Sequence, residues 1–134
     1  MEVKTNKRNI LVIEDEPFIC RVCVKTLVAD GFDVDIAGNG LVALEMASKK
    51  TYDLIFSDVR TPEVNGIQFY ECIKKKQPAL ADRIIFTTGD IMSPDVKLFL
   101  SKSHNLFLAK PFLPEELRAV VKKAISKFIS APVS

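Results

Sequence analysis

No apolar run in this 134-residue sequence approaches the ~20 residues that cross a bilayer. The amino-terminal stretch MEVKTNKRN is polar and has no apolar region of a signal peptide, so a soluble, cytoplasmic protein without membrane contact is expected. Low-complexity segments and linkers are missing too. With 48% hydrophobic and 27% charged residues, the composition is that of a globular chain and not of a disordered one. Soft metal ligands are scarce, with three cysteines and a single histidine, His104, so a structural zinc site is poorly supported. Cys20 and Cys23, in CRVC, fall inside a helical pattern instead of at a helix N-terminus where a thiolate would be stabilised, and read as small helical residues. The odd cysteine count fits a reducing compartment. His104, in the polar stretch KSHN, reads as an exposed loop residue. Concentrated positive charge is also absent. Net charge is +2, and apart from Lys74 to Lys76 and the pair Lys122 and Lys123 the basic residues are scattered, which reads as solvated helix faces and predicts no direct nucleic-acid partner. The length holds one sizeable core and not two. One domain is expected, spanning 8–129, with 1–7 and 130–134 as flexible tails.

Against these absences stand five short apolar runs: ILVI (10–13), FDVDIA (32–37), DLIF (53–56), RIIFT (83–87) and LFLA (106–109). Runs of this length with few polar breaks predict strands buried on both faces, as in a parallel sheet covered by helices. Helical spacing fills the intervals. It is clearest in the last segment, where Leu117, Val120, Val121, Ala124, Ile125 and Phe128 form one apolar stripe. Pro17 and Pro94 suit first-turn positions, Ser93 an N-cap, and Gly31 a helix stop. Five strands alternating with five helices predict an α/β fold of (βα)5 pattern, doubly wound with right-handed crossovers.

In open parallel sheets the working site lies outside the carboxyl ends of the strands. Glu14 and Asp15 follow the first run, GNG (38–40) the second, Ser57 and Asp58 the third, Thr88 and Gly89 the fourth, Lys110 and Pro111 the fifth. Neighbouring strands ~4.8 Å apart bring three carboxylates, a hydroxyl and an ammonium together. The run ILVIEDEP places acids side by side at the tip of a buried segment, an arrangement that calls for a nearby cation. A hard, oxygen-lined site suits Mg²⁺, which keeps several waters and accepts a phosphate oxygen as a further ligand. With that charge neutralised, an aspartate can act as nucleophile and form an acyl phosphate. Asp58 is the candidate, Lys110 the charge partner and Thr88 a donor to a phosphoryl oxygen.

The motifs IEDE, SDVRTPEVNG, TTG and AKPF, in this order and at these strand ends, resemble the receiver domain of bacterial two-component response regulators. The similarity covers roughly Arg8 to Phe128. It implies a flavodoxin-like fold, a five-stranded parallel sheet of order 2-1-3-4-5. It further implies Asp58 as phosphoacceptor, Asp15 as a direct Mg²⁺ ligand, Glu14 as a ligand through water or as a neighbour, and the Arg60 carbonyl as another ligand. By the same pattern Thr88 follows the phosphoryl group, Lys110 pairs with it, and Phe107 stands at an aromatic position that changes rotamer on activation; Pro111 often follows a cis peptide. The donor would be a sensor histidine kinase or a histidine phosphotransfer protein. An output partner, of unknown identity, would read the region Ser93 to Lys127. The chain would be a stand-alone regulator or a receiver taken from a hybrid sensor histidine kinase. It would not be an enzyme in the ordinary sense but a phosphoacceptor assisting its own phosphorylation and dephosphorylation.

Two positions depart from the pattern. Glu14 stands where Asp is commoner, and Arg60, two residues after the acceptor, brings a cation to the mouth of the site, which predicts an altered lifetime of the phosphorylated form. Blander readings accompany each assignment: Glu14 and Asp15 also suit the first turn of a helix, Thr88 a turn, and Phe107 the core. Two other function classes remain. A Mg²⁺-dependent phosphohydrolase of the haloacid-dehalogenase type needs D-x-D after the first strand, which EDEP lacks. A phosphorylation-independent binding module, such as a flavin protein, needs a Ser/Thr/Gly-rich loop there, and a silent receiver usually lacks the acceptor or the lysine, both of which are present.

Overall fold

Each of the five apolar runs forms a strand in the structure, a computed structural model that describes residues 7–61 and 63–128. Apart from Lys7, the expected tails lie outside the described residues. The strands are β1 (Asn9–Ile13), β2 (Asp33–Ala37), β3 (Leu54–Asp58), β4 (Ile84–Thr88) and β5 (Phe107–Ala109). All pair in parallel in the order β2-β1-β3-β4-β5, as the resemblance implies. The central strands β3 and β4 are buried at every residue. The edge strand β2 is mixed, which matches its alternating sequence DVDIA.

The described helices are α1 (Pro17–Ala29), α2 (Gly40–Lys49), α3 (Gly66–Lys76), α4 (Pro78–Ala81), α5 (Pro94–Ser103) and α6 (Pro114–Phe128). That is six where the pattern predicts five. The addition, α4, is a single turn begun by Pro78 that buries Leu80 and Ala81, and four residues are too few to show a helical period. Two local expectations also change. Ser57, Asp58 and Thr88 end their strands instead of following them, because the Val59 N–H still reaches the Thr87 carbonyl at 2.9 Å. Ser93 occupies the N-cap position of α5 but its hydroxyl makes no cap bond; it faces Asp95 and Arg60 instead. Pro17 and Pro94 do open their helices, and Gly31 leaves α1 with φ 92°, a conformation a side chain would strain.

Alternation along the strands divides the core in two. Leu11, Ile13, Ile55, Ile84 and Phe86 face α2, α3, α4 and α5. Ile10, Val12, Leu54, Phe56 and Ile85 face α1 and α6, where Cys23 and Leu27 meet Leu117, Val121 and Ala124. The expected stripe of α6 is thus its buried face. Each fully buried Leu, Val or Ile there contributes about 2 kcal/mol. With helices on both faces, only the strand ends are open to carry polar chemistry.

Candidate functional site

The sheet register decides which strand ends meet. Ile13 aligns with Ser57, Asp58 with Thr87, and Thr88 with Ala109. Glu14, Asp58, Thr88 and Lys110 are therefore neighbours at one edge, as their order in the sequence predicts. Lys110 Nζ lies 2.6 Å from Glu14 Oε1, 2.7 Å from Asp58 Oδ2 and 3.4 Å from Glu16 Oε1. The Arg60 backbone N–H donates to the other Asp58 oxygen at 3.1 Å. Both oxygens of the candidate acceptor are thereby held, and its carboxylate plane is fixed before any substrate arrives.

The core of this cluster is buried as well as charged. The side chains of Glu14, Asp58 and Lys110 are 2%, 8% and 11% exposed. Burial pushes the Glu14 carboxyl up to about 7; the Lys110 hydrogen bond opposes the rise and the charge of Asp58 adds to it. Burial also disfavours the Lys110 ammonium, but the hydrogen bonds it donates to Asp58 and Glu14 outweigh that and hold the amine above its ordinary range. One ammonium among three acids leaves surplus negative charge. Ligand oxygens of Glu14, Glu16 and Asp58 lie no more than 4.8 Å apart. Opposite ligands of an octahedral Mg²⁺ are about 4.2 Å apart and adjacent ones about 3 Å, so the three carboxylates would hold a hard divalent cation after closing further on it.

A cleft of about 650 Å³ opens over the cluster, bordered by Asp15, Glu16, Arg60, Thr88 and Asp90. Asp15, expected as a direct ligand, borders this cleft but is exposed and stands outside the converging trio; Glu16 reaches in instead. Thr88 is buried, and its hydroxyl accepts the Asp90 N–H at 3.0 Å, which leaves the hydroxyl proton for an oxygen in the cleft. The Lys110 to Pro111 peptide is cis. Phe107 is 37% exposed, so its side chain is on the surface of β5 and not in the core.

Arg60 has partners that its position in the sequence does not reveal. Its Nε donates to Asp90 Oδ2 at 2.7 Å and its Nη2 to Ser93 Oγ at 3.2 Å, with Asp95 Oδ1 at 3.6 Å. The side chain therefore ties the loop after β3 to the loop after β4 and the first turn of α5. Gly66 is a second feature of this kind. A Cβ there would stand 2.5 Å from the Asp58 carbonyl oxygen, so only glycine lets α3 start against the end of β3. Asn65 caps that start reciprocally with Gln68, at 2.9 Å in both directions. The stretch EVNGIQF carries this capping signal in the sequence.

A family model described as the response regulator receiver domain matches residues 10–122. Among curated proteins, the chain is 34% identical over 121 residues to the probable transcriptional regulator ycf29 of Porphyra purpurea, covering 87% of this chain and 56% of that one. It is 36% identical over 123 residues to the hybrid signal transduction histidine kinase K of Dictyostelium discoideum, covering 87% of this chain and 10% of that one. The chain thus spans about half the length, or far less, of these relatives. Among solved structures, the receiver domain of the sensor histidine kinase PA1611 from Pseudomonas aeruginosa, with a magnesium ion in its active-site cleft, superposes with a TM-score of 0.79 at 29% identity, covering 89% of this chain and 98% of that one. The fold, the strand-end acids and a family match over most of the sequence lead to one conclusion: this chain belongs to the response regulator receiver domain family, the phosphorylation-dependent signalling switches of two-component systems.

Proposed function

We propose that Asp58 is the phosphoacceptor of this domain, with the unit running from 8 to 129. The observation that carries this reading is the position of Lys110, bonded to both Glu14 and Asp58 with all three side chains largely buried. A phosphohistidine of a sensor histidine kinase or a histidine phosphotransfer protein is the donor. An Asp58 carboxylate oxygen attacks phosphorus, the P–N bond breaks, and the leaving imidazole nitrogen keeps the electron pair. Once Asp58 is phosphorylated its carboxylate charge is gone and the phosphoryl oxygens carry the negative charge, so Lys110 turns to one of them and Thr88 donates its hydroxyl proton to another. Glu14 and Glu16, with Asp58 and the Arg60 carbonyl, would hold Mg²⁺, with Asp15 available at the mouth of the cleft. The cation supplies neutralisation of the carboxylates and a seat for a phosphoryl oxygen. The domain thereby assists its own phosphorylation and, with water in place of the imidazole, its own dephosphorylation.

Readout runs through Ser93 to Lys127. Exposed Leu98 on α5 and Phe107 on β5 give that region apolar contact surface, and Arg60 joins the mouth of the site to the first turn of α5. Phosphorylation shifts a two-state equilibrium by the difference in stabilisation that the phosphoryl group gives the two states. The similarity to a hybrid kinase and to a transcriptional regulator supports a place in a cytoplasmic phosphorelay, as a stand-alone regulator or within a larger chain. No described helix is long and apolar enough to cross a membrane. The test is intact mass after incubation with acetyl phosphate, with and without Mg²⁺, for wild type and Asp58→Asn. A Mg²⁺-dependent gain of one phosphoryl group in wild type alone is expected. An equal gain in Asp58→Asn would overturn the assignment.

A further inference from the structure

A second concave feature lies away from the strand ends. Between α3 and α5 runs a groove of about 490 Å³. Tyr70 and Phe99 line it and meet edge to face at 5.4 Å, backed by the fully buried Phe86 of β4, 4.9 Å from Phe99 and 5.8 Å from Tyr70. Lys74 and Lys75 reach it from α3 and Lys102 from α5, all three exposed. Tyr70 and Lys74 are one turn apart, as are Phe99 and Lys102, so on each helix an aromatic and a cation share one face. Lys74 Nζ sits 5.9 Å from the centre of the Tyr70 ring.

The triple lysine at the end of α3 has a simple local cause, since cations suit the negative end of a helix. Lys102, in the last turn of α5, has the same local cause, and the two helix ends together bring like charge to one groove. Nothing in the described residues neutralises the three. Among those residues the lysines and arginines in ion pairs are Lys49, Lys50, Arg60, Lys110 and Arg118. Glu71 is the one acid that borders the groove, against three lysines. Tyr70 is 7% exposed and Phe99 half-buried, so the floor of the groove is a shallow aromatic contact inside a rim of cations, the arrangement in which an apolar anchor seats in the middle and rim charges select the partner.

We infer that this groove docks an acidic segment of a partner protein, with an aromatic or aliphatic anchor against Tyr70 and Phe99 and its carboxylates on Lys74, Lys75 and Lys102. The charge of the rim and its spread over two helices fix the class of occupant. A short linear segment spans both walls. The docking needs no phosphoryl group, yet it bears on the two helices that start after the loops carrying Arg60 and Asp90. A partner held here is therefore tethered to the domain in both states.

The probe is a fluorescent peptide of about twelve residues with glutamates on both sides of one phenylalanine, read by anisotropy beside a version with every Glu changed to Gln. The acidic peptide is expected to bind at least ~10-fold tighter than the Gln version, and equally well to wild type and Asp58→Asn. The double variant Lys74→Glu and Lys102→Glu should weaken it at least ~10-fold, while Arg21→Glu with Lys25→Glu, the same charge change on exposed α1 positions, should leave it unchanged. Equal loss in both double variants would reduce the effect to net charge and overturn the proposal. Equal binding of the Gln peptide would do the same, as would no binding at about 1 mM, or competition by inorganic polyphosphate as strong as by unlabelled peptide, which would make the anchor irrelevant.

Discussion

Lys110 and Lys50 do similar things in different surroundings. At the edge of the sheet, Lys50 Nζ reaches Asp35 Oδ2 at 2.9 Å and the Tyr52 hydroxyl donates to the same oxygen at 2.7 Å. The Lys50 and Asp35 side chains are 45% and 34% exposed, so water shares the charge and the account balances at one cation for one anion. Such a pair ties α2 to the sheet and contributes about 0 to 1 kcal/mol. Lys110, 11% exposed, meets three acids. There the charge does not balance, and for Glu14 and Asp58, 2% and 8% exposed, water screens it little. The difference shows what separates a clamp from a site: burial raises the cost of every unpaired charge, and the excess of acid at Lys110 makes a place where a cation and then a phosphoryl group lower the energy.

Removing each lysine tests that difference, with the largest effect at the strand ends. Lys110→Ala is expected to slow phosphorylation from acetyl phosphate by about 100-fold, because the ammonium bonded to Asp58 then no longer meets the developing phosphoryl charge. Next comes Glu14→Gln, which leaves the pocket shape intact but takes away a buried ligand. Mg²⁺ affinity, followed by isothermal titration calorimetry, should fall about tenfold. An unchanged affinity would remove Glu14 from the metal site.

Arg60 lies between the two extremes, half exposed like Lys50 yet at the mouth of the functional cleft. In Arg60→Ala the mouth opens to water and the tie to Asp90 and Asp95 is lost. Phosphate release from the phosphorylated domain is expected to quicken about threefold to fivefold, and an unchanged rate would make Arg60 a surface residue only. The smallest effect belongs to the clamp. Lys50 and Tyr52 lower the Asp35 pKa by hydrogen bonding. A depressed carboxylate contributes stability above its unfolded value of 3.8 and loses it as pH falls through the folded value, so Asp35→Asn should cost less than about 1 kcal/mol at pH 7 and nothing at the acid extreme. Urea denaturation at both pH values checks this, and a cost that persists in acid would mean that packing and not charge holds Asp35.

The two lysines also differ in how legible they were. Short apolar runs at regular intervals carry the five strands, and parallel order carries Glu14, Asp58, Thr88 and Lys110 to one edge, so the site is readable once the strands are. What happens sideways is not. Arg60 finds Asp90 and Asp95 thirty or more positions away, on the loop after β4 and the first turn of α5, and nothing in their spacing along the chain announces it. The exchange of Glu16 for Asp15 beside Lys110 depends on how the chain turns into α1 after Glu14, a matter of side-chain direction and not of order. The Asp35 clamp stayed hidden because an aspartate within an edge strand reads as ordinary solvent-facing alternation. Turn α4 escaped for lack of length, and the α3 to α5 groove because its two walls belong to different segments.

The most direct test sets the two lysines side by side: intact mass of wild type, Lys110→Ala and Lys50→Ala over a time course with acetyl phosphate and Mg²⁺. The account predicts that Lys50→Ala gains a phosphoryl group at the wild-type rate while Lys110→Ala gains almost none in the same interval. Equal rates for all three would contradict it, since the buried excess of acid around Lys110 would then have no part in the chemistry.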